Sequence, residues 1–185
     1  ASKPGGGRAD SEAGGERADR ATFAAEAAAV DIAVVNAAHT EVFLFGKAGL
    51  AERQPAGCVV FGCPTLAPAD ARQFEAGCEA RGLLCLDAPI SGGALKADAG
   101  ALSFMASGRP EAFAAAQPFL DVMAASVFNM GERAGAGSVM KAVNQMLAGV
   151  HVAITSEAMA FGMAQGLPPD RVLEVVSQSA GTSWM

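Results

Sequence analysis

The sequence predicts an α/β protein in which a mainly parallel sheet, covered by helices, gives way to the start of an all-α region. From Val30 onward, short apolar runs alternate with helical patterns. Repetition of strand, helix, strand lays successive strands side by side in parallel, with the helices packed over the sheet. Past Gly137 that alternation stops, and apolar residues recur at helical spacing instead. Composition allows such a core. Hydrophobic residues make up 51% of the 185 and charged residues 17%, too much apolar side chain and too little charge for a disordered chain.

The elements follow in order. Residues 1–20 are rich in Gly, Ala and alternating charge and form a polar tail that cannot bury enough apolar surface to order itself. Val30 to Val35, Cys58 to Phe61, Leu83 to Ala88, Leu102 to Ala106 and Val127 to Met130 read as strands, most of them buried on both faces. Between them Pro68 starts a helix that Gly82 stops, and Pro110, behind Ser107, starts another that runs toward Ala124. Val139, Val143, Met146, Val150 and Ile154 then mark one long helix reaching about Gly166, where Pro168-Pro169 opens a further one. A boundary between Glu132 and Gly137 divides an α/β domain over residues 21–134 from a helical domain over 135–185, both partial, joined by the long helix.

Thirteen Lys and Arg against nineteen Asp and Glu give a net charge of -6, which argues against a nucleic-acid or acidic-membrane binder. No apolar run reaches the ~18 residues of a membrane span, because His151 to Glu157 interrupt the last rich stretch. The four cysteines (58, 63, 78 and 85) lack the paired spacing of a disulfide scaffold or zinc site, and the only histidines are His39 and His151. This implies a reducing, cytoplasmic setting and no metal.

Two segments carry chemistry. In Asp87-Ala88-Pro89-Ile90-Ser91-Gly92-Gly93 a buried strand runs into Ser-Gly-Gly, whose missing side chains let a ligand such as a carboxylate approach backbone N–H groups. The plainer alternative is an ordinary tight turn. In Gly137 to Gln145, Lys141, Asn144 and Gln145 stand at i, i+3 and i+4, so an amine and two amides share one helical face opposite the apolar stripe. Its plainer alternative is a solvated polar face. An amine in the first turns after a domain boundary, if desolvated, has its pKa lowered toward a useful range.

Together these segments resemble the β-hydroxyacid dehydrogenase family, which includes 3-hydroxyisobutyrate dehydrogenase. The resemblance rests on Asp87 to Gly93, on Gly100-Ala101-Leu102 leading to Met105-Ala106-Ser107-Gly108, on Gly135-Ala136-Gly137 with Lys141, and on Gly181-Thr182-Ser183-Trp184. Lys141-x-x-Asn144-Gln145 replaces the usual Lys-x-x-Asn-Asn; with Leu147 to His151 and Glu157 to Ala160 it is most similar to the L-threonate dehydrogenase branch. The resemblance implies a Rossmann-type sheet, NAD or NADP as cofactor, and hydride transfer from a small 3-hydroxy acid with Lys141 moving the hydroxyl proton. It further implies that Ser91, Gly92 and Gly93 hold the carboxylate and that Asn144 and Gln145 orient the substrate. Asn36 and Thr65 fall where the family meets dinucleotide, at carboxyl ends of parallel strands, although Val35-Asn36 and Gly62-Cys63-Pro64-Thr65 depart from its usual Leu-Pro and Asp-x-Ser-Thr. For the complete protein it implies a homo-oligomer, a dimer or tetramer.

No G-x-G-x-x-G follows any strand, and Gly5-Gly6-Gly7 lies in the polar tail. The expectation is therefore a truncated dehydrogenase lacking its glycine loop and later helices; a non-catalytic remnant or interaction module of the same fold is the alternative. Imine reductases share the architecture and are disfavoured by Lys141. Phosphogluconate dehydrogenases are disfavoured by the short chain and the absent basic phosphate cluster.

Overall fold

Strand β1 (Ala29–Ile32) pairs in parallel with β2 (Val59–Gly62), and β2 pairs in parallel with β3 (Leu84–Asp87). The computed structural model describes residues 27–34, 36–47 and 49–183, so the tail expected over 1–20 lies outside the described residues. A two-residue strand, β4 (Ile90–Ser91), runs antiparallel to β5 (Leu102–Ala106), which is parallel to β6 (Ala124–Asn129). The two sheets meet at Asp87 and Ser107, whose backbones exchange N–H···O bonds of 2.9 and 2.8 Å. The mainly parallel sheet is thus present, with β4 as an unforeseen antiparallel element.

The helices are α1 (Ala37–Phe45), α2 (Pro68–Glu79), α3 (Gly93–Asp98), α4 (Pro110–Met123), α5 (Ala136–Ala164) and α6 (Pro169–Ser177). Pro68, Pro110 and Pro169 each lie in a first helical turn, where a missing N–H leaves no intrahelical bond unmade. Helices α1 and α3 were not foreseen. α1 is short, and its start is marked by a single residue, Asn36, whose Oδ1 accepts the His39 N–H at 2.9 Å as an N-cap.

Alternation along β2 divides the core in two. Val60 points with Ile32, Leu44, Phe74, Cys78 and Cys85 toward α1 and α2. Val59 and Phe61 point with Leu86, Phe104, Ala112, Ala116 and Leu120 toward α4. Each large buried side chain contributes about 1.5–3 kcal/mol, and burial on both faces is complete for β2. The same expectation fails at β6, an edge strand whose Val127 and Phe128 are exposed. All four cysteines are buried free thiols.

The chain divides into two compact units after Val139, within α5. In the second unit, Val172 of α6 and Leu167 lie against Gly162 near the end of α5. The stripe of Val139, Val143, Met146, Val150 and Ile154 is exposed along α5. His151 to Glu157 do not interrupt this helix. It runs 29 residues with an 18-residue window of mean hydropathy 1.3, long and apolar enough to cross a membrane by length and composition alone. The expectation that no segment reaches that threshold is corrected: isolated polar residues lower hydropathy without breaking a helix.

Candidate active site

Ser91, Gly92 and Gly93 lie where β4 turns into α3. Gly92 has φ +138° and Gly93 φ +68°, both in the region that favours glycine. The two glycines differ in their surroundings. A Cβ on Gly92 would come within 2.8 Å of the Lys96 side chain, whereas one on Gly93 would meet open space. Ser91 is half-buried and both glycines are exposed, so the turn presents its backbone to solvent.

Asn36 and Thr65 are exposed just beyond the carboxyl ends of β1 and β2. Beside them Ala37, Ala38, Thr40, Glu41, Leu66 and Asp70 line part of a cleft of about 230 Å³. Asn36 and Thr65 do not line this cleft themselves, and Phe45, Gln73 and Phe74 complete its wall. The pyrophosphate end of a dinucleotide needs a glycine turn at a helix N-terminus, and no G-x-G-x-x-G follows a strand among the described residues, the Gly92-Gly93 turn before α3 being a lone glycine pair. Asn36 also spends its carbonyl oxygen on capping α1, so its amide nitrogen is the group it could offer a ligand.

Lys141 is only 9% exposed. Burial pulls its amine below the ordinary lysine value of 10.5. Asn144 is half-buried and Gln145 exposed, and the Asn144 Nδ2 donates to Gln145 Oε1 at 3.2 Å. The expected contrast between a polar face and an apolar stripe is inverted at this level of the helix: the amine is covered and Val139 and Val143 are exposed.

One residue of the site had no role assigned from sequence. Asp87 ends β3 at 1% exposure, and four hydrogen bonds reach its carboxylate. Oδ2 accepts the N–H groups of Gly135 (2.8 Å) and Ser138 (2.9 Å) and the Ser107 hydroxyl (3.1 Å). Oδ1 accepts the Ser138 hydroxyl at 2.7 Å. Ser107 Oγ in turn accepts the Gly137 N–H at 2.9 Å. Ser107 is thereby occupied away from α4, whose N-terminus has no side-chain cap. The preceding linker is held by Glu75, which accepts the Ala134 N–H at 3.1 Å and pairs with Arg133 at 3.0 Å. The signal for Asp87 was available: an acid ending an apolar strand cannot be buried without donors.

Fold and sequence together define a Rossmann-type α/β sheet followed by a helical region. Residues 9–131 match the family model described as the NAD binding domain of 6-phosphogluconate dehydrogenase. Residues 135–185 match the NAD-binding domain of NADP-dependent 3-hydroxyisobutyrate dehydrogenase. The chain belongs to the β-hydroxyacid dehydrogenase family. It is 47% identical to L-threonate dehydrogenase of Haemophilus influenzae, covering 88% of this chain and 54% of that protein. It is similar to the crystal structure of 3-hydroxyisobutyrate dehydrogenase from Salmonella typhimurium, with a TM-score of 0.86, 42% identity, and coverage of 89% and 57%. Psf3 in complex with NADP+ and 2-OPP matches with a TM-score of 0.88 at 26% identity, covering 98% of this chain and 65% of that one. The chain spans about half the length of the curated relatives it matches.

Proposed function

We propose that this chain supplies the cofactor-binding and catalytic segments of an NAD(P)-dependent dehydrogenase of small 3-hydroxy acids, L-threonate or a 3-hydroxyisobutyrate-like compound. The observation that carries this is Lys141, a buried amine of lowered pKa on the helix that the family's lysine motif identifies. A bound nicotinamide ring supplies a hydride acceptor. In its neutral form Lys141 Nζ would take the proton of the substrate hydroxyl while the hydrogen on the carbinol carbon leaves with the C–H bonding pair as hydride, so that a carbonyl remains. Ser91 and the backbone N–H groups of Gly92 and Gly93 hold the carboxylate, and Asn144 and Gln145 orient the hydroxyl-bearing carbon. Asn36 and Thr65 meet the cofactor at the carboxyl edge of the sheet. Helix α5 belongs to the helical domain of this enzyme rather than to a membrane, in keeping with the family model that spans 135–185. The complete protein is a homo-oligomer, and a reducing cytoplasm suits its buried free thiols.

The test uses the full-length gene product with NAD or NADP and with L-threonate, 3-hydroxyisobutyrate and glycerate as substrates. Lys141→Ala should lower kcat by about 10²- to 10⁴-fold, the range that general acid–base groups supply. Near-normal turnover would remove Lys141 from the mechanism.

A further inference from the structure

Helix α5 begins with N–H groups that have no intrahelical acceptor. Gly135, immediately before the helix, has no side chain to serve as a cap. The acceptors come from the sheet instead. Asp87 takes the N–H groups of Gly135 and Ser138, and Ser107 takes that of Gly137. The Ser138 hydroxyl adds a second link to the same carboxylate. Asp87, Ser107 and Ser138 are each at most 1% exposed, so these bonds form away from water, where a charge-assisted bond is strongest and an unpaired partner costs most. A negative charge at a helix N-terminus is further favoured by the helix dipole.

The held face is also the face that carries the amine. Ser138 and Lys141 stand at i and i+3, and Gly137 and Lys141 at i and i+4, one turn apart on the same side of α5. We propose that Asp87 is the positioning residue for Lys141: by fixing the first turn of α5 it sets the direction in which the Lys141 side chain leaves the helix. This rests on the reading of Lys141 as the proton carrier. A rotation of the first turn by a fraction of a residue would swing the amine by ångströms, and misplacement of about 1 Å can cost 10²-fold in rate. Asp87 itself touches no reacting atom in this scheme.

The experiment is a double-mutant cycle in the full-length gene product. Asp87→Asn keeps the shape and removes the charge, and Ser138→Ala, which removes one hydroxyl, serves where the first variant folds poorly. Each is made alone and with Lys141→Ala. We expect each single variant to lower kcat about 10- to 100-fold, with a smaller change in KM, and to have no further effect once Lys141 is Ala. A second readout needs no turnover. In protein without cofactor, acylation of the Lys141 amine, read by mass spectrometry against exposed Lys96, should rise several-fold in either variant. Losses that multiply in the Lys141→Ala background, or unchanged Lys141 acylation, overturn the proposal and leave Asp87 a stability residue. A Lys141→Ala enzyme with near-normal kcat removes the reading beneath it, a different and separately visible failure.

Discussion

In the proposed reaction Lys141 must be neutral when the substrate arrives, and burial moves its amine in that direction. The rate of alcohol oxidation should therefore rise with pH through the folded pKa of this amine and level off above it, with a midpoint below 10.5. Stability carries the same sign. Between the depressed folded pKa and the ordinary unfolded value, the unfolded chain binds more protons, so the contribution of Lys141 to stability grows with pH there and is lost as pH falls through the folded pKa. A pH profile of kcat/KM for the wild type beside Lys141→Arg checks the first part, since arginine cannot be deprotonated in this range and should abolish the rising limb. At the Ser-Gly-Gly turn, Gly92 is a poor place to test carboxylate binding because a side chain there would collide with Lys96 and strain the backbone at φ +138°. Gly93 is the better one. At φ +68° with open space around it, asparagine is tolerated with little strain. Gly93→Asn keeps the backbone N–H but puts a side chain in the open space through which a carboxylate would reach it, so KM for the hydroxy acid should rise by about 10- to 100-fold, the worth of one blocked hydrogen bond to a charged group, with kcat little changed. Steady-state kinetics at saturating cofactor would decide it, and an unchanged KM leaves only the tight-turn role.

At the scale of elements, α5 offers a comparison within one helix. A Cβ on Gly137 would press on the Met105 carbonyl oxygen and come within 2.8 Å of the Asp87 carbonyl oxygen, backbone atoms that cannot step aside. A Cβ on Gly149, three turns further along, would meet nothing. Gly137→Ala should thus destabilise the 185-residue chain by about 1–3 kcal/mol through overpacking, while Gly149→Ala should stabilise it by up to about 1 kcal/mol through helix propensity. Denaturant midpoints at unchanged slope measure both; equal effects would show that the first turn of α5 is not pinned to the sheet. The same contrast explains what was legible in the sequence. Pro68, Pro110 and Pro169 mark helix starts because a proline in the first turn is a local event, readable without knowing what packs above it. The strand runs were legible because they are apolar wherever the sheet covers them. Asn36 was legible as a polar residue after a strand, yet its cap on α1 was not, since a cap and a ligand contact use the same residue type. The bonds to Asp87 span 20 to 51 residues of sequence, and no periodicity reports a partner that distant. The covered amine of Lys141 was hidden for the same reason.

The whole chain meets the cofactor question through its charge and its available donors. Micromolar affinity corresponds to about 8 kcal/mol, and most of a dinucleotide's grip comes from its pyrophosphate seated on glycine backbone at a helix N-terminus. The sequence holds no G-x-G-x-x-G after a strand. Among the described residues, the side-chain donors proposed to meet the cofactor at the carboxyl edge are one amide nitrogen of Asn36 and one hydroxyl of Thr65, each worth about 1 kcal/mol net. Glu41 and Asp70 line the neighbouring cleft, and the net charge of -6 opposes phosphate further. These contributions fall several kcal/mol short. The 185-residue chain by itself should accordingly bind NAD and NADP more weakly than micromolar, and calorimetric titration with each nucleotide measures this directly. Binding at micromolar dissociation constant or better would place a phosphate site among residues 1–26, outside the described part of the chain. The full-length gene product, assayed in parallel, should bind one of the two nucleotides at least tenfold more tightly; if it does not, the chain belongs to a protein that kept the fold and the lysine helix without the redox chemistry.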